Sequence, residues 1–191
     1  MIRIISLATA AILLSGCSTS ENLTFKNTLD YIGLGSLVKP AGPEIITVEP
    51  NTSAEPALRA FRYVGLQEVA NRQEIKALVG VDPVRTEWCA AFANAVLAES
   101  GLPGSESVSD YPLTARSFLR WGVSVDEPYP GDLVIFPRGN SSWQGHVGFY
   151  LSTIEINGRK YYNILGGNQS NSVSIENYPA SLALDIRRMG T

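Results

Sequence analysis

The stretch that decides the fold is Thr86-Glu87-Trp88-Cys89-Ala90-Ala91-Phe92, which continues as an apolar run to Ala98 and closes at Gly101. Thr86 suits an N-cap, Glu87 suits the first turn beside the positive end of the helix dipole, and Gly101 suits the position just past the last turn. The segment is apolar almost all round and rich in alanine, which predicts a buried helix that its neighbours approach closely. Cys89 then falls at the third helical position. Unpaired N–H groups and the dipole lower a thiol pKa there, and the same groups can hold a developing oxyanion. Glu87 works against the thiolate if its carboxylate lies close. The competing reading is that Cys89 only packs, because free cysteines are among the most buried residues.

Around this helix the pattern changes once. Upstream, Leu58, Phe61, Arg62 and Gly65 fit a first helix with Pro56 in its first turn, and Asn71 to Val79 fit a second. Downstream, Asp110 and Pro112 open a further helix that ends at Trp121-Gly122. After Pro130-Gly131-Asp132 the period becomes that of strands, at Leu133–Phe136, His146–Leu151, Thr153–Ile156, Lys160–Leu165, Val173–Ile175 and Leu182–Ile186. Asn157-Gly158 is a strong two-residue hairpin turn. Helices followed by strands predict an α+β domain over residues 55–191, with the Cys89 helix packed on a curved antiparallel sheet.

Composition narrows the function. The chain has 191 residues, 45% hydrophobic and 17% charged, so it can bury a core. Its net charge of -3 argues against nucleic acid, whose phosphates require a basic face. Two cysteines and one histidine exclude a zinc site built on paired histidines or on two CxxC pairs, and exclude a disulfide-dense scaffold. No metal and no cofactor is expected.

The start reads Met1-Ile2-Arg3, then an apolar run from Ile4 to Leu14, then Ser15-Gly16-Cys17. A basic start, a short apolar stretch and a small-residue junction make a secretory signal over 1–16, too short to span a bilayer. Leu14-Ser15-Gly16-Cys17 resembles the lipobox of bacterial lipoproteins, which implies acylation of Cys17 and membrane anchoring through that lipid. Ser18 after the cysteine, rather than Asp, implies delivery to the outer membrane, facing the periplasm. With Cys17 committed to lipid, Cys89 is the only free thiol. Residues 17–54, punctuated by Pro40, Pro43 and Pro50, read as a tether, with Leu34–Val38 and Ile45–Val48 as short strands or docking segments. Gly33-Leu34-Gly35 lacks the third glycine of a dinucleotide fingerprint.

His146 opens a strand after Gly145. By alternation His146, Gly148 and Tyr150 share one face, and glycine beside the imidazole leaves room for a substrate. A lone histidine is more often structural, but a catalytic Cys89 needs a base and no other imidazole exists. A third group would orient the ring. Asn168, at the end of the next long strand in Gly166-Gly167-Asn168-Gln169, is the first choice and Gln169 the runner-up.

These blocks, together with Gly131-Asp132-Leu133-Val134 and Gly145-His146-Val147-Gly148-Phe149, stand in the order found in the CHAP and NlpC-type peptidases, and residues 56–189 resemble these papain-like cell-wall hydrolases. The resemblance implies a cysteine amidase or endopeptidase acting on peptidoglycan stem peptides, with Cys89, His146 and Asn168 as the catalytic set. Some relatives carry Glu or His where Asn168 stands. Trp88, Trp143 and Gln169 are candidate substrate contacts. Arg116, Arg120 and Arg138 either meet stem-peptide carboxylates or are solvated surface. A non-catalytic lipoprotein that binds wall peptides or a partner is the alternative.

Overall fold

The computed structural model describes residues 54–190. The signal segment, Cys17, the tether up to residue 53 and the short segments read within it lie outside the described residues. The architecture is α+β. Among the described residues three α-helices, α1 (Glu55–Phe61), α2 (Arg72–Val79) and α3 (Cys89–Glu99), precede six strands. The strands are β1 (Val123–Ser124), β2 (Leu133–Pro137), β3 (Gly145–Ile156), β4 (Arg159–Gln169), β5 (Ser172–Pro179) and β6 (Asp185–Arg188). All pair antiparallel in one sheet of order β1-β6-β2-β3-β4-β5.

The α3 segment buries seven of its eleven residues, as an all-round apolar helix must. It packs on β3 and β4, with α1 and α2 on its other flank. Cys89, Phe92, Val96 and Leu97 share a core with Leu133, Ile135, Val147, Phe149, Leu151 and Leu165, which fill the helix side of the sheet. A smaller cluster of Val134, Phe136, Tyr150, Ile164 and Ile186 covers the opposite side. The period-2 alternation of β2 and β3 produces this division directly. Asn157 and Gly158 both take positive φ, 52° and 74°, the geometry of the predicted hairpin turn, and the two strand segments expected on either side of Ser152 form one strand, β3.

Two local expectations change, and one strand is new. Helix α3 begins at Cys89 itself, with Trp88 in the cap position and no side-chain cap, so Cys89 is the first helical residue rather than the third and Thr86 lies outside. The segment after Asp110 forms a 3₁₀ helix, Ala115–Arg120, in place of the expected α-helix. The two-residue strand β1 carries no sequence signal of its own and exists by pairing with β6.

Asp132 of the Gly-Asp pair is structural. It is buried, accepts two hydrogen bonds from Arg188 at 2.9 and 2.7 Å and one from the Tyr129 N–H at 2.7 Å, and so ties the end of β6 to the start of β2.

Candidate active site

The start of α3 brings Cys89 against the start of β3. Its Sγ lies 4.0 Å from the carbonyl oxygen of Gly145, and the Val147 N–H points at the sulfur. The two chain neighbours of His146 thus flank the thiol. Cys89 is 3% exposed, and burial pushes its pKa up. The Arg138 charge and the Val147 and Ala90 N–H groups pull the other way without prevailing, and Glu87 adds slightly to the rise. The lowering expected from the helix start is therefore present but outweighed by desolvation. With no side-chain cap, the N–H groups of the first turn of α3 have no partner within the helix.

His146 is 1% exposed, and burial with the nearby Arg138 charge drives its pKa down to about 4. Its Nε2 is 2.9 Å from Oε1 of Gln169. The amide of Gln169 is fixed the right way round, because its Nε2 donates to the carbonyl oxygens of Ser174 at 2.7 Å and Ile164 at 3.2 Å. Oε1 can only accept, so the imidazole proton resides on Nε2 and Nδ1 carries the free lone pair. Nδ1 is buried and has no hydrogen-bond partner among the described residues. The ring stacks on Tyr178, centroids 5.2 Å apart and planes within 15°, and Tyr178 stacks in turn on Phe136. Burial raises the Tyr178 pKa to about 12, so it stays a neutral platform.

A bulge in β4 decides which side chain meets the imidazole. Continuing the alternation of β4 from Leu165 puts Gly166 and Asn168 on the imidazole side and Gln169 on the helix side. The β4–β5 register breaks between Gly166 and Gln169, and Asn168 takes a left-handed φ of 57°. The inserted residue inverts the facing, so Gln169 meets the imidazole. Asn168 instead donates from Nδ2 to Glu87 at 2.6 Å, while its carbonyl accepts from Arg138 at 3.0 Å. Arg138 also donates to Glu87 at 2.8 Å. This Glu87–Arg138–Asn168 triangle ties the approach to α3 to the ends of β2 and β4.

No hydrogen bond joins Sγ to the imidazole. Val147 joins the core beneath α3, and the His146 ring stacks on Tyr178. The space expected beside Gly148 is also filled, since a Cβ there would sit 2.5 Å from Ile164.

Residues 81–168 match the family model of the CHAP domain. No curated protein and no solved structure matches the chain. The CHAP match contains Cys89 and His146 and stops one residue before Gln169. It supports a papain-like peptidase fold, and CHAP domains are typically cysteine- and histidine-dependent amidohydrolases or peptidases.

The CHAP segment also supplies the mouth of the site. A cleft of about 120 Å³ reaches Cys89 between Leu113, Thr114, Arg138, Trp143 and Gly145. Trp143 is 65% exposed at its rim, where a substrate contact belongs. The other two expected contacts are not on it. Trp88 is fully buried, donates from Nε1 to Glu68 at 3.0 Å and packs edge-on to Phe92. Gln169 is buried on the imidazole. Tyr178 escaped the sequence reading because nothing local marks it; only the pairing of β5 with β4 brings it to the histidine.

Proposed function

We propose that the chain is an exported, lipid-anchored cysteine hydrolase that cleaves an amide or peptide bond in peptidoglycan, with residues 55–191 as its catalytic domain. One observation carries this reading: Gln169 holds the proton of His146 on Nε2 and leaves Nδ1 an acceptor with no partner among the described residues, in the residue whose neighbours flank Cys89. A structural histidine at this burial ordinarily satisfies both nitrogens.

In the proposed mechanism Sγ of Cys89 attacks the scissile carbonyl while Nδ1 of His146 takes the thiol proton. The oxyanion is received by first-turn N–H groups of α3, including that of Cys89. The C–N bond breaks as the imidazolium returns its proton to the leaving amine. Water then attacks the thioester, again losing its proton to Nδ1, and the thiol is restored. A raised thiol pKa and an imidazole near 4 disfavour a resting ion pair, so proton transfer accompanies attack rather than preceding it. Such contacts commonly tighten only with substrate in place. Membrane attachment through Cys17 at the outer membrane puts the domain within reach of the wall.

The same two observations, a protonated thiol and an imidazole not bonded to it, favour the second reading of a lipoprotein that binds wall peptides without turnover. Digestion of purified peptidoglycan with the full chain in detergent, followed by mass spectrometry of the fragments, separates the two. New amine termini that disappear in Cys89→Ala establish hydrolysis and name the bond; fragments equal in the variant, or none in either, refute it.

A further inference from the structure

We propose that the groove beside the Cys89 cleft, built from Tyr111, Arg116, Arg120 and Trp143, is an anion subsite that takes a carboxylate of the substrate and makes the protein discriminate acids from amides. The proposal rests on the hydrolase reading for its substrate but not for its test. The groove encloses about 510 Å³, within the range of small-ligand sites. It shares Thr114 and Trp143 with the Cys89 cleft, so an extended ligand can run from one to the other around the indole.

Its charges are unneutralised. Arg116 spends Nε on the carbonyl of Gln144 at 2.7 Å, and its terminal nitrogens make no hydrogen bond among the described residues. Arg120 is exposed and makes no ion pair among the described residues, and Asp110, the carboxylate in the lining, bridges to neither arginine. Most other arginines of the domain are paired: Arg59 with Glu55, Arg62 with Glu99, Arg72 with Asp82, Arg138 with Glu87, Arg187 with Asp185 and Arg188 with Asp132. Two free guanidinium groups lining one groove of a chain with net charge -3 mark a place for an anion. A guanidinium fork matches the two oxygens of a carboxylate, whereas a carboxamide brings no charge and turns N–H donors toward other donors. Tyr111, 75% exposed, and Trp143 add flat apolar faces that lose little freedom on binding. This selects a peptide with apolar and carboxylate groups side by side.

Binding to the full chain carrying Cys89→Ala tests it, because that readout is independent of turnover. Isothermal titration compares a peptidoglycan stem tripeptide with free carboxylates and its carboxamide counterpart. The acid is expected to bind about fivefold more tightly at low salt, as for exposed ion pairs. The ratio should fall in Arg120→Gln, and to about one when Arg116 is also replaced by Gln. Equal binding of acid and amide, a ratio unchanged in Arg120→Gln, or binding of neither peptide would overturn the subsite. Peptidoglycan digestion by the unmutated chain reports separately on the hydrolase reading, so the two can fail independently.

Discussion

Replacing Gln169 with Leu removes the one group that fixes the tautomer and orientation of His146 while keeping a side chain of similar bulk. Two losses follow. In the fold, the Nε2–H of His146 is left buried without an acceptor, at about 1–3 kcal/mol, and the Ser174 and Ile164 carbonyls lose donors worth about 1 kcal/mol each. A total near 3–5 kcal/mol lowers the midpoint in urea without abolishing folding in a domain of ordinary stability. In the site, the proton is free to move to Nδ1, the atom that has to accept the thiol proton. An orienting hydrogen bond of about 1.4–2.7 kcal/mol in the transition state corresponds to a loss of about 10- to 100-fold in kcat. The assay is initial-rate release of new amine termini from purified peptidoglycan, at a temperature where circular dichroism shows each variant folded. Asn168→Ala, run in parallel, is expected to stay within about threefold, because its side chain meets only Glu87, itself largely exposed. A folded Gln169→Leu enzyme with unchanged kcat, alongside a crippled Asn168→Ala enzyme, would refute the assignment of Gln169.

Other outcomes follow from the same geometry. The folded pKa of His146 is about 4 against an ordinary 6.5, so the unfolded chain takes up the proton first as pH falls; stability is full above pH 6.5 and declines toward pH 4, by about 3 kcal/mol in all, and denaturation curves of His146→Phe should lack that decline. Cys89 should be alkylated by iodoacetamide more slowly than a free thiol at pH 7, with a rate still rising above pH 9, and Arg138→Ala should slow it further; a plateau below pH 7, read by mass spectrometry of the Cys89 peptide, contradicts the buried protonated thiol. A Cβ at Gly167 would lie 2.6 Å from both Phe92 and Trp88, so Gly167→Ala is expected to cost about 1–3 kcal/mol in thermal or urea unfolding while leaving the cleft residues in place.

Particular residues show what was readable before folding. The apolar run from Cys89 to Ala98, the period change after Asp132 and the Asn157-Gly158 turn are local signals, written in side-chain character and backbone preference within a few residues. They sufficed for the α+β architecture, and they single out one helix-start cysteine and one strand histidine.

What tertiary structure alone decided depends on contacts between distant segments. A two-residue irregularity in β4 sets whether Asn168 or Gln169 meets the imidazole, since one extra residue inverts the facing of all that follow. The stack of Tyr178 on His146 needs β5 in register with β4. The direction of both pKa shifts is a matter of burial: a helix start lowers a thiol pKa in water-exposed settings, but desolvation on all sides outweighs it here. By itself the sequence determined which groups the described domain presents, one thiol on a helix and one imidazole on a strand. The packing of that helix on that strand determined which nitrogen is free, which amide holds the ring and which arginines remain unpaired, because solvent exclusion and register are properties of the assembled sheet and not of any segment in it.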